Sequence, residues 1–110
     1  MPCHRLIPCD LDHALSAAVA RHAQLSVHAH RVGRSARLGW WSRLAANTIS
    51  WTLEIDQGAT GVLVHLTAEP VSGPLLRLSW RARAVLLRPF SVHELTELAR
   101  MVSVNDQVRG

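Results

Sequence analysis

Side chains of the metal-ligating types crowd the first thirteen residues: Cys3, His4, Cys9, Asp10, Asp12 and His13. Thiolate, imidazole and carboxylate are what zinc takes, but Cys-x5-Cys with no second close pair lacks the spacing of a structural zinc site. Asp10 also has a competing use as a helix cap. His28 and His30 stand two apart, so on a strand both imidazoles leave one face. A third ligand would have to come from His65 or Glu54, and a solvated strand face explains the pair without one. No metal site and no cofactor is assigned from these positions. Nucleophilic chemistry lacks a frame too, since no G-x-S-x-G turn is present. Gly58 and Gly61 precede no helix that could complete a phosphate loop. Glu54 and Glu69 share a polar face but lie near its opposite ends, which suits solubility better than acid–base work. No catalytic residue is assigned.

A second constellation is the stretch RVGRSARLGWWSR, Arg31 to Arg43. Arginines neutralise phosphates and tryptophans stack on bases, so their interleaving suits a single-strand nucleic-acid binder. Arg31, Arg34, Arg37, Trp40 and Arg43 are the candidates for that use. On a strand Trp40 and Trp41 face opposite ways, so at most one of them joins Arg37 and Arg43. All twelve basic residues are arginine against eight acids, and no acid lies between His13 and Leu53. That balance favours anionic partners without naming one.

The elements that would position these residues are read most clearly from Ile49 to Pro70. Ile49, Trp51, Leu53 and Ile55 alternate with polar residues, and Val62, Val64, Leu66 and Ala68 do so again beyond two glycines: a β-hairpin. Pairing Ile55 with Val62, Trp51 with Leu66 and Thr52 with His65, around a loop from Asp56 to Gly61, puts the apolar residues on one face. Earlier in the chain, a short strand at Arg5 to Ile7 precedes a helix capped by Asp10 and running to about Gln24. Leu11, Ala14, Leu15, Ala18, His22 and Leu25 form its stripe. A strand in LSVHAHRV, a turn at Gly33 to Ser35 and a strand at Ala36 to Leu44, with a helical alternative ending at Asn47, follow. Ser72-Gly73-Pro74 signals a helix start. Residues 74–87 fit both helix and strand, with the second half leaning to strand and Pro89 ending the element. Ser91 to Glu94 reads as a capping box, with Phe90 and Leu95 as its staple. Leu95, Leu98, Ala99 and Val102 form the stripe of the last helix, and 103–110 reads as a fraying tail. The expectation is one α+β domain over 1–110. Its antiparallel sheet of about four strands carries an N-terminal and a C-terminal helix on one face.

With 48% hydrophobic residues, the composition argues against disorder. No apolar run approaches the roughly 20 residues of a membrane span, and the N-terminus lacks a signal-peptide core. A soluble cytoplasmic protein with reduced thiols is expected.

The C-terminal half, TISWTLEIDQGATGVLVHLTAEP with Ser72-Gly73-Pro74-Leu75-Leu76, LLRPF and ELTELARMV, resembles the START-like polyketide cyclase/dehydrase superfamily, the helix-grip fold. The resemblance implies a hydrophobic ligand held between Trp51, Leu53 and Leu66 on the sheet and Leu95, Leu98 and Val102 on the last helix, and Trp80 is added to that set. The leading expectation is a small module binding a hydrophobic ligand or a protein partner there. Nucleic-acid binding through 31–43 is the alternative, and a non-catalytic subunit pairing through an exposed edge of the hairpin or its Trp-bearing face, including a homodimer, is a third.

Overall fold

A computed structural model describes residues 3–22 and 28–109, the side chains of 28 and 104–109 excepted. Strands β1 (Cys3–Ile7), β2 (His28–Val32), β3 (Ser35–Leu44), β4 (Asn47–Gln57) and β5 (Val62–Ser72) form one antiparallel sheet in the order β1-β5-β4-β3-β2. Helix α1 (Leu11–Arg21) connects the β1 edge to the β2 edge, and α2 (Trp80–Arg109) follows the sheet. The fold is α+β, with five strands where about four are expected. Leu25, Val27 and Gln24 lie outside the described residues.

Period-two alternation decides what each strand buries. Ile49, Ile55, Val62 and Val64 are fully buried, with Trp51, Leu53 and Leu66 nearly so. The hairpin register differs from the expected one by two residues. Ile55 stands opposite Val64, Leu53 opposite Leu66 and Thr52 opposite Thr67. A shift of two leaves every side chain on its original face, so the pattern alone could not fix it. The turn fixes it: β4 runs on to Gln57, opposite Val62, and Gly58 N–H donates to the Gly61 carbonyl across 2.7 Å. Beyond β5, β1 pairs with Cys3 opposite Leu66 and Ile7 opposite Val62.

Asp10 caps α1, accepting the His13 N–H at 2.7 Å. Leu11, Ala14, Ala17 and Ala18 are buried beneath it. Residues 35–44 are strand, not the helical alternative.

The segment 74–87 overturns the lean to strand. Ser72-Gly73-Pro74 opens a 3-10 turn, Pro74–Arg77, with Leu75 N–H held by Asn47 Oδ1 at 2.9 Å. Ser79 then starts α2, its hydroxyl accepting the Ala82 N–H and its carbonyl the Arg83 N–H. The Arg83 guanidinium donates to the carbonyls of Leu75, Leu76 and Leu78, which ties the helix start to the 3-10 turn. Pro89 lies inside α2 and does not end it. Proline removes the bond to the carbonyl four residues back, here Val85. Val85 itself is 72% exposed, on the part of α2 that stands away from the sheet. Because the helix runs on through Pro89, Ser91 begins nothing. It is buried mid-helix, with its hydroxyl on the Leu87 carbonyl, and Phe90 is exposed rather than stapled. Leu87, Leu95, Leu98 and Val102 are the buried stripe of α2.

Gly61 has φ 150°, and a Cβ there would strike the Ile7 carbonyl oxygen and sit 2.9 Å from Pro8 Cα. Gly33 has φ 59° with open space around it. Gly61→Ala should therefore lower unfolding stability by roughly 1–3 kcal/mol, and Gly33→Ala by about 1 kcal/mol. Urea titration checks the ranking, and the reverse order would mean that β1 does not dock against the hairpin loop.

Candidate functional site

The inner face of the sheet, where a ligand between sheet and C-terminal helix would sit, is filled. Trp51, Leu53, Leu66, Leu95 and Leu98 are all 5% exposed or less. The space between them and α1 amounts to ≈ 10 Å³, bordered by Ala18, Arg21, His22, Trp40 and Glu94. That is about room for one water.

A polar and aromatic clamp closes this interior. Arg21, in the last turn of α1, makes a two-pronged bridge to Glu94 of α2, with Nε and Nη2 at 2.9 and 3.0 Å. The carboxylate holds the guanidinium pKa above its ordinary value, against partial desolvation. His22 follows, its ring stacked on Trp40 at 3.9 Å between centroids and its Nε2 3.5 Å from Glu94. Trp40 lies nearly parallel to Trp51 at 6.1 Å, and Trp51 Nε1 donates to Ser42 Oγ at 2.7 Å.

The open space is elsewhere. A groove of ≈ 770 Å³ lies between β1 and the first half of α2, lined by Cys3, His4, Arg5, Trp80, Arg81, Ala84, Val85, Arg88, Val92, Leu95 and Thr96. Its origin is geometric. The buried stripe of α2 begins only at Leu87, so the turns before it stand away from the sheet with Trp80 62% and Val85 72% exposed. Arg5 points inward from β1, opposite the inward Val64, and its Nη1 reaches Thr96 Oγ1 at 3.5 Å. Of the seven ligand residues expected, Trp80 and Leu95 line this groove, while Trp51, Leu53, Leu66, Leu98 and Val102 belong to the core. Arg5, Arg81, Val85, Arg88 and Val92 escape a sequence reading. Only knowledge that 80–92 is helical places the last four on one face.

The arginine–tryptophan stretch does not come together. Trp40 is buried inward, and Trp41, 68% exposed, is the tryptophan that shares the outer face with Arg37 and Arg43. Arg37 pairs with Glu54 on that face, Arg31 pairs with Asp12 of α1, and Arg34 lies in the β2–β3 turn.

The ligand-type residues are dispersed as well. Asp10 is a cap and Asp12 is paired. Cys3 and His4 leave opposite faces of β1, with His4 beside His65 at 5.2 Å. His65 on β5 is three strands from β2, roughly 14 Å from His30. Among the described residues no three His, Cys, Asp or Glu side chains converge.

Burial lowers the His22 pKa from its ordinary 6.5, outweighing the pull of Glu94, and Arg21 lowers it further. Between the folded and unfolded pKa the unfolded chain binds the extra proton. The contribution of this clamp is thus full above about pH 6.5 and falls as the pH drops below it. The melting temperature should therefore drop less between pH 7.5 and 5.5 in His22→Phe, which keeps the ring on Trp40, than in the unsubstituted protein. Equal drops would show that His22 does not titrate in this way.

No family model matches the chain, and no curated protein matches it in sequence. Among solved structures, the chain is similar to the crystal structure of TTHA0849 from Thermus thermophilus at TM-score 0.42 and 15% identity, over 96% of this chain and 97% of that one.

Proposed function

We propose that this chain is a small binding module that holds a hydrophobic guest in the groove between β1 and the first half of α2. One observation carries the reading: a wide concavity lies on the flank of α2, with Trp80, Ala84, Val85, Val92 and Leu95 in its wall beside Arg5, Arg81 and Arg88, while the space beneath the same helix at the Arg21–Glu94 clamp is ≈ 10 Å³. A volume of ≈ 770 Å³ falls in the range of sites that bury a guest. Val85, Val92 and Trp80 stand in it at 72%, 47% and 62% exposure. Covering them removes apolar area from water at about 25 cal/mol per Å², and single scattered apolar residues would not share a concave wall. The chemistry of the groove supports holding rather than converting. Cys3 and His4 are consecutive on a strand and so leave opposite faces, and no acid lines the wall among the described residues.

A neutral solvatochromic dye should brighten on binding. The double variant Val85→Asp/Val92→Asp should weaken it by at least about tenfold, roughly 1.4 kcal/mol. Leu98→Ala, which enlarges the interior and leaves the groove untouched, should leave the dye affinity within about twofold while lowering stability by roughly 2–5 kcal/mol. Unchanged dye binding by the double variant, with its circular dichroism intact, would remove the groove as the site.

A further inference from the structure

The groove wall repeats. Trp80, Ala84, Leu95 and Thr96 of α2 also line it, and between them the residues of one helix face run Arg81, Val85, Arg88, Val92. Steps of four, three and four keep all of them on one helix face, with the arginines seven apart and the valines seven apart, about 10.5 Å along the axis. Arg5 enters the same groove from β1. Among the described residues none of these three arginines meets a carboxylate, whereas Arg21, Arg31, Arg37 and Arg100 each bridge one. Arg83 is occupied by backbone carbonyls. Arg81 lies over the Trp80 ring and Arg5 reaches the Thr96 hydroxyl, but neither contact neutralises the charge, which stays spaced along the groove rather than clustered.

That spacing discriminates between occupants. A single-headed amphiphile satisfies one of Arg81 and Arg88 and leaves the other facing apolar chain. A second copy of this face sets arginine against arginine, in a chain of net charge +4. A helix with acids seven residues apart, and an apolar residue four on from each, meets both sets at once. Resting on the reading that the groove binds apolar guests, we infer that its occupant is an acidic amphipathic helix of a partner protein. It packs along α2 with Glu or Asp facing Arg81 and Arg88 and apolar side chains seated on Val85 and Val92. Arg5 supplies a further cation from the facing wall.

The test uses a labelled synthetic peptide of about 21 residues, long enough to hold a helix, carrying the repeat Glu-x3-Leu-x2. A second peptide has Lys in place of each Glu. Fluorescence anisotropy should show the Glu peptide binding at least about tenfold more tightly than the Lys peptide, and more weakly as salt rises. Arg81→Glu/Arg88→Glu should reverse that preference, and recovery by the Lys peptide shows that the variant is folded. Equal binding of both peptides overturns the inference, and so does the absence of a reversal in the variant. It also falls if decanoate or a single-stranded oligonucleotide binds in an arginine-dependent way where the Glu peptide fails. Dye binding separates this failure from that of the underlying reading. If the neutral dye still binds and is lost in Val85→Asp/Val92→Asp, the groove stands and only the acidic helix is wrong; if the dye does not bind at all, both fall.

Discussion

The two helices must share one face of a single small sheet, and the Arg21–Glu94 bridge is where that constraint is met. It joins the end of α1 to the middle of α2 at the small space that Trp40 also borders. Both partners are a little over one-fifth exposed, so the pair is neither a free surface contact nor a fully desolvated one. Its Coulomb energy is therefore modest. Its geometric consequence is larger, because a two-pronged contact fixes the position of α2 as well as its distance. With α1 over β3 and β4, α2 is left to cover β1 and β5. The small residues Ala14, Ala17 and Ala18 let α1 settle close to the sheet. The ring stack of His22, Trp40 and Trp51 fills what remains.

From that placement follows the division of α2 into two halves with different duties. The part from Leu87 onward seals the core through Leu87, Leu95, Leu98 and Val102. The part before it gains little from burial, and an isolated stretch of that length would be marginal as a helix in water. Local bonds hold it instead: the Ser79 cap at its start, three carbonyls gathered by Arg83, and the Asn47 side chain bracing the 3-10 turn beneath. Pro89 sits at the junction. The overhang is thus braced from its far end and continuous with the sealed half. The groove is the space beneath it.

How much of this was legible depends on which contacts are local. The strands around Gly58, the Asp10 cap and the Leu95–Leu98–Val102 stripe are written in short-range periodicity, and all three are found in the structure. Register was not, because an alternating pattern is unchanged by a shift of two. The segment 74–87 matches both periods, and what decides it is Ser79 and Arg83 acting on backbone groups that no pattern displays. Alternation sets Trp40 and Trp41 on opposite faces, but which of them turns inward depends on the parity of β3 against β4. The groove was least legible of all. Its two walls are some eighty residues apart in sequence, and the pairing of β1 with β5 that sets one beside the other is wholly non-local.

The position of the open space also has a reason in size. A chain of 110 residues buries a limited fraction of its surface, and here the inner face is spent on the packing that makes the fold stable. An interior cavity there would need the Trp40–Trp51 stack or the Arg21–Glu94 bridge to give way, at the expense of the contacts that orient α2. A site on the flank of α2 carries no such conflict. The residues there, namely Trp80, Arg81, Val85 and Arg88, lie outside the buried core. A guest bound there would add to the stability of the fold rather than draw on it, so the small core and a sizeable groove can coexist in one short chain.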